Sequence, residues 1–475
     1  MKITISKKDV IWSYVGTLMS MSANLLMLPF LMYFLDEDIL GLWYVFTSIG
    51  AIATLFDMGF SVTFARNITY CWSGAKKLKK ENVDFVDNSE PDYYLMKKVL
   101  VTCKLIYGIL STTALILLLS VGTIYIRYIS RDIQSSVPII SWVIYAIAAF
   151  LNLYYGYYSS FLRGVGAVDR ANKNTVLARL FQIMLTIVLL CCGTGLIGAC
   201  TAYLVYGTVF RLLGKHHFYR YKNIGKHLND IDQNIDKGEI KNLFITVWHN
   251  AWRDGAISIA NYFCNQASTL ICSMYLSLAD VGVYSIGVQI AQAIAQISGT
   301  MYTAYQPELQ SAYITSDMKK MKKSMSIIVM SFVYLFFAGT IAVIIVGIPL
   351  LRIVKPSTVV SIPVLLGLCI YQFMLKFRNC YTSYFSCTNR ILYVNGFIFS
   401  AVICVILSFI MIGPLHLGVR GLIIAQIISQ AVYNVWKWPL KAHLEMNLSA
   451  TDMIKTGTIE CINSIKGILR RNNWR

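Results

Sequence analysis

Charged side chains are scarce here: Asp, Glu, Lys and Arg make up 14% of 475 residues, against roughly 25% in a soluble domain. The polar linkers that would divide a soluble chain of this length into domains are missing as well. In their place, long apolar runs follow one another almost to the C-terminus. Each can cross a bilayer core of about 30 Å. A soluble enzyme, a disulfide-stapled secreted protein and a disordered scaffold are excluded. No small-residue cleavage site follows the first run, which is also too long for a signal-peptide core. The twelve cysteines lack metal-ligand spacing, and ten lie inside apolar runs, where a thiol behaves as a small hydrophobe. No metal site is expected. The fold class is an all-α polytopic membrane protein.

What the chain does have is basic charge, 42 Lys+Arg against 23 Asp+Glu, a net +19. Spans are placed at about 10–35, 39–65, 99–126, 138–162, 175–192, 195–212, 244–277, 281–306, 326–350, 359–387, 393–412 and 419–438. With the N-terminus inside, and the span-edge residues Arg211, Arg420 and Lys437 counted with their adjoining loops, 32 basic residues fall on the cytoplasmic side, 5 outside and 5 within spans (Lys104, Arg179, Arg253, Lys376, Arg378). That asymmetry is the positive-inside signature. The charge sets orientation and is no footprint of nucleic acid. Both termini are expected in the cytoplasm.

Twelve helices divide into an N-terminal six-helix lobe (1–213), a cytoplasmic linker (214–243), a C-terminal six-helix lobe (244–438) and a cytoplasmic tail (439–475). Met32-Tyr33-Phe34-Leu35 before Gly41-Leu42-Trp43 recurs, weakly, as Met274-Tyr275-Leu276-Ser277 before Gly282-Val283-Tyr284. Chance similarity between aromatic-rich helices is the alternative. With six helices per half, a true repeat is parallel, an arrangement that commonly builds transporters. The tail places Ile454, Thr458, Cys461, Ile465 and Leu469 at helical spacing beside basic residues, which suggests an amphipathic helix on the inner leaflet. Gly457 and Gly467 weigh against it. No extramembrane segment could hold a catalytic domain, so no catalytic residue is assigned.

Polar residues run in stripes inside the apolar helices. The first span carries Ser13, Thr17, Ser20 and Asn24; the eighth Gln289, Gln292, Gln296, Thr300 and Thr303; the tenth Gln372, Lys376, Asn379 and Ser383. His249, Arg253, Asn261 and Asn265 share a face of the seventh. Such faces avoid lipid, turning to one another or to water. Interhelical hydrogen bonding, worth only about 0.6 kcal/mol per contact, is the plainer reading of the uncharged stripes. Arg253 and Lys376 lie near mid-membrane, where an unpaired charge costs at least about 2.5 kcal/mol. They are the principal binding candidates. Asp254 lies about 100° around the helix from Arg253 and is no obvious partner for it. Lys104 could snorkel to the headgroups, Asp57 could pair with a basic residue across the bundle, and His249 sits near a helix start. Asp36-Glu37-Asp38 reads as a solvated acidic turn, since about four residues join its helices.

These residues resemble a family. Asn24 with Pro29, Gly41-Leu42-Trp43-Tyr44, Phe56-Asp57-Met58-Gly59 followed by Arg66, Arg163-Gly164 and Pro307-Glu308-Leu309 are similar to positions of the polysaccharide transporters. Those are the O-antigen and capsule-repeat flippases of the multidrug/oligosaccharidyl-lipid/polysaccharide superfamily. The second half has no counterpart of Gly164 near Cys387-Thr388, and the 66–98 loop is long for the family. The resemblance implies two six-helix lobes around a central cavity with alternating access in a bacterial cytoplasmic membrane. The implied substrate is an undecaprenyl-pyrophosphate-linked oligosaccharide carried to the outer leaflet for surface polysaccharide. Arg253, Lys376, Lys104, Asn24, Gln289, Gln292, Gln296, Gln372 and Asn379 would bind it. Asp57, Asp254 and His249 are candidates for coupling or gating. No cofactor is implied; an H+ or Na+ gradient is the candidate driving force. Membrane lipids and other polysaccharide-assembly proteins are the candidate partners. A lipid II flippase and a multidrug exporter are alternatives in the same superfamily, although this first helix lacks the carboxylate that an exporter of cations would favour. A membrane polymerase or glycosyltransferase is the alternative of another class.

Overall fold

The computed structural model describes residues 3–54, 57, 59–81, 90–131, 133, 135–231, 235–276, 278–349 and 360–472. Side chains are excepted at 22–25, 28–29, 32, 37–38, 41, 44, 48, 51–54, 266–267, 269–270, 273–274, 278–282 and 464–472. Much of the first-helix motif and of the internal repeat, including Asn24, Pro29, Gly41, Asp280 and Gly282, therefore lies outside the described side chains.

The described elements are all helical, and they form two compact units. The first holds Ile3–Lys80 and Asn88–Gly255. It contains α1 (Lys7–Phe34), α2 (Glu37–Thr54), α3 (Phe60–Trp72), α4 (Tyr93–Leu117), α5 (Thr123–Ile129) and α6 (Val137–Tyr155). It continues with α7 (Tyr157–Gly164), α8 (Val168–Cys191), α9 (Gly195–Arg220), α10 (Ile224–Asn229) and the start of α11 (Lys237–Tyr262). The second unit, from Ala256, takes the rest of α11, then α12 (Ser268–Tyr275), α13 (Leu278–Ser298), α14 (Thr300–Ile314) and α15 (Met318–Ala342). It ends with α16 (Ile362–Cys387), α17 (Val394–Ile412), α18 (Gly418–Ala431), α19 (Asn434–Met446) and α20 (Ala450–Asn472).

Where its residues are described, each of the twelve apolar spans falls on one of these helices or on two successive ones. The segment 214–243 contains the end of α9, all of α10 and the start of α11; the two units meet in sequence at Gly255 and Ala256; and α19 runs through 438/439. Among the described residues, six continuous helical stretches are long and apolar enough to cross a membrane, from Tyr93–Ile129 to Val394–Ile412. Their outward faces carry bare aliphatics such as Ile109, Ile116 and Ile124, as lipid contact requires.

Local chemistry sets the ends. Ser6 and Asp9 form a reciprocal capping box on α1, and Asp92 and Asp317 cap α4 and α15 through the Leu95 and Lys320 amides at 2.8 and 3.0 Å. Two π-helical turns free carbonyls from the regular ladder. At Leu118–Gly122 the Leu118 carbonyl accepts from the Trp142 indole at 3.3 Å. At Phe263–Ala267 the Cys264 carbonyl accepts from the Tyr371 hydroxyl at 2.8 Å.

The tail is helical, and the face it packs on the protein is not the Ile454 stripe. Ile454 is exposed, while Met453 and Gly457 are buried against the second unit, where α20 packs along α15. Gly457, which propensity counts against a helix, is what permits this approach: a Cβ there would lie 2.5 Å from the Ser326 carbonyl oxygen and from Met330. Thr458 meets the Tyr334 hydroxyl at 2.7 Å, and Glu460 meets Lys323 at 2.8 Å. Gly457→Leu should therefore cost about 1–3 kcal/mol by overpacking and lower the thermal midpoint in detergent. Ile454→Ser should not. Equal midpoints for both variants would show that the docking is inessential.

Candidate functional site

The second unit contains a polar cavity of about 280 Å³ lined by Asn261, Asn265, Gln292, Gln296, Gln372, Leu375, Lys376 and Asn379. Three helices build it. Gln372, Lys376 and Asn379 share one face of α16, at i, i+4 and i+7, and Gln292 and Gln296 share one face of α13. Asn265 comes from the π-turn after α11, where one extra residue per turn re-aims a side chain.

Three of the amides are joined through Asn265. Gln372 and Gln292 donate through Nε2 to Asn265 Oδ1 at 3.2 and 3.4 Å, and Asn265 Nδ2 donates to the Asn261 carbonyl at 2.8 Å. Behind them, Arg378 is fully buried. It donates through Nη2 to Asn261 Oδ1 at 2.7 Å and through Nη1 to Gln430, with its guanidinium 3.7 Å from the Phe397 ring centre. Arg378 thus positions Asn261, and Tyr371 clamps the π-turn. The half-buried Lys376 differs: no hydrogen bond or ion pair engages its ammonium among the described residues. The cavity presents six amides and one cation, with no carboxylate in its lining.

The first unit has a smaller cavity, about 200 Å³, lined by Gly50, Asp57, Ser61, Tyr107, Ala149, Asn152, Leu153, Gly156 and Tyr203. Ser61 donates to Asp57 Oδ2 through Oγ at 2.8 Å and through its amide at 3.2 Å, and the Tyr107 hydroxyl donates to Oδ1. The expected cationic partner of Asp57 is thus replaced by hydroxyls, because Arg66 is committed elsewhere. Arg66, assigned by sequence to a cytoplasmic segment, is buried midway along α3. Its Nη2 lies 3.3 Å from Asp254 Oδ2, with side chains 0% and 8% exposed. Thr63 donates to the same oxygen at 2.9 Å. Gly59, at φ +71°, lets the chain press on this pair, since a Cβ there would lie 2.4 Å from Asp254 Cβ.

The remaining candidates scatter. Arg253 belongs to the first unit rather than the second, half-buried with its guanidinium 5.7 Å from the Trp252 ring centre. Lys104 and His249 are half-buried on α4 and α11, and Gln289 is exposed on α13. None of the four lines either cavity.

No known protein-family profile matches the chain, and no curated protein matches it in sequence. Solved structures do. A MATE protein crystallised in the bent conformation aligns at TM-score 0.68 and 18% identity, over 96% of this chain and 100% of that one. The fold is that of the MATE transporters. An outward-facing multidrug resistance MATE family transporter of the MOP superfamily aligns at 0.66 and 17% identity, over 92% and 95% of the two chains. A MOP superfamily transporter from Pyrococcus furiosus, described by a reverse polarity of its binding pocket that suggests a different function, aligns at 0.66 and 17%, over 94% and 96%. The MATE fold places twelve transmembrane helices in two lobes, in agreement with the fold class read from sequence.

Of the nine binding residues read from sequence, five (Lys376, Gln292, Gln296, Gln372 and Asn379) are among the eight that line the second-unit cavity. Asn261 and Asn265 appeared only as members of a stripe. The positioning role of Arg378 was missed, although its depth, two residues from Lys376, was the available signal.

Proposed function

We propose that the protein is a flippase that moves polyprenyl-pyrophosphate-linked oligosaccharide from the cytoplasmic to the outer leaflet of a bacterial cytoplasmic membrane by alternating access. The observation that carries this reading is the second-unit cavity, with six amides, no carboxylate in its lining, and an ammonium that is unpaired among the described residues. Amides donate to and accept from sugar hydroxyls, and an ammonium suits a diphosphate or an acidic sugar. Lys376, Gln372, Asn379, Gln292 and Gln296 hold the headgroup in this proposal, while the polyprenyl tail stays in lipid. Asp57, solvated by hydroxyls in its own cavity, is the group for an H+ or Na+ coupling step. Asp254, already neutralised by Arg66, is structural.

A second reading, export of organic cations, draws on the Asp57 cavity and on the multidrug resistance transporter of the same fold. Proteoliposomes separate the two. A fluorescent polyprenyl-pyrophosphate oligosaccharide should become protected from an external quencher only when the protein is present, and lipid II should be moved more slowly. Protein-dependent ethidium transport with no movement of either lipid-linked sugar would overturn the flippase.

A further inference from the structure

On the outside of the first unit, α4 and α11 enclose a groove of about 420 Å³ lined by Thr102, Leu105, Ile106, Ile109, Lys237, Ile240, Lys241 and Phe244. Its two ends differ in chemistry. Thr102 and Ile106 are buried and form the floor, and the exposed Leu105, Ile109 and Phe244 form walls. Lys237 and Lys241, one turn apart and exposed, stand on the α11 side. The register of the helices is fixed by Lys98 on α4, whose ammonium lies 2.6 Å from Glu239 Oε1, with Tyr94 donating to Oε2 at 3.1 Å. That pairing sets the lysines level with the first turns of α4, so the apolar channel runs from them along Ile106 to Ile109.

The nearby acids are occupied. Glu239 is held by Lys98 and Tyr94, and those contacts keep its carboxyl below the usual carboxylate range. Asp236 accepts from the Gly238 amide at 3.0 Å. Among the described residues no ion pair or hydrogen bond engages Lys237 or Lys241. Two free ammonium groups thus face the end of an apolar slot, on the side that the positive-inside pattern assigns to the inner leaflet.

We propose that this groove is a binding site for one anionic phospholipid of the inner leaflet, its phosphate on Lys237 and Lys241 and one acyl chain along Ile106 and Ile109. Charge complementarity selects the occupant. A zwitterionic lipid would bring its own cation to the lysines, whereas basic pockets between helices at this level suit anionic headgroups. The proposal is independent of what the protein transports.

The test uses the full-length purified protein, stripped of lipid in detergent and titrated with phosphatidylglycerol, phosphatidylcholine or undecaprenyl phosphate under native mass spectrometry. One phosphatidylglycerol should be retained in preference to phosphatidylcholine. Lys237→Gln with Lys241→Gln should weaken it roughly thirtyfold, each lysine near an anionic lipid supplying about fivefold. Ile109→Trp, which fills the slot at an exposed position, should also release it with both lysines intact. Lys437→Gln with Lys441→Gln, another lysine pair one turn apart on a helix, should change nothing. Equal retention by the Lys237/Lys241 double variant overturns the proposal. So does displacement of phosphatidylglycerol by undecaprenyl phosphate at lower concentration, which would make the groove a carrier-lipid site.

Discussion

Arg66→Ala is expected to leave little folded protein in the membrane. The substitution removes the cation beside Asp254, whose carboxylate, 8% exposed, also accepts from Thr63. Breaking a buried pair in this way costs about 3–5 kcal/mol, which is a large share of the about 5–15 kcal/mol that holds a typical domain together. Asp254→Ala should cost a similar amount, by removing the carboxylate beside the guanidinium instead. The double variant Arg66→Met, Asp254→Leu removes both charges and keeps the volume, a change that is often neutral or stabilising, so it should recover much of the abundance. Quantitative immunoblotting of membranes with thermal denaturation in detergent reads all three. Single variants as stable as the parent would refute the pair as a brace. A double variant that folds but no longer transports would give it a role in the transport cycle.

At Lys376 the opposite pattern is expected, with transport lost and protein kept. Among the described residues no carboxylate neutralises the Lys376 ammonium, so the second unit does not rest on an ion pair there and its removal should not unfold the unit. A hydrogen bond to a charged group contributes about 1.5–3 kcal/mol. Lys376→Ala should therefore slow movement of the lipid-linked sugar roughly 10–150-fold at unchanged abundance, by the same free-energy scale. Lys376→Glu should be worse, through repulsion of the phosphates. Lys376→Arg should be mildest, because a wet site asks for charge more than shape. Were organic cations the cargo, Lys376→Ala would leave ethidium export intact and Asp57→Asn would abolish it. Normal flipping by the alanine variant sinks the cation mechanism.

The stripe on α16 was legible in the sequence for a simple reason: helical period alone puts Gln372, Lys376 and Asn379 on one face, and no lipid-facing surface tolerates them. Gln292 and Gln296 were legible on the same ground. Asn261 and Asn265 were legible only as members of a stripe shared with His249 and Arg253, which do not line the cavity, so period alone did not single them out. The Arg66–Asp254 brace was invisible, since its partners stand 188 positions apart and the end of a hydrophobic run is a poor guide to where a helix leaves the core. Gly457 misled outright. Propensity scores a glycine by what it costs its own helix, whereas here the missing side chain is what the neighbouring helix needs.

That last contact has a consequence for how the protein is made. The notch on α15 around Ser326 and Met330 leaves the ribosome long before the helix that fills it. The roughly 130 residues between them take about 6–25 s to synthesise at about 5–20 residues per second. During that interval the second unit carries an uncovered seam. A chain released early, even one holding every apolar span, would display it permanently to the membrane proteases that remove unfinished products.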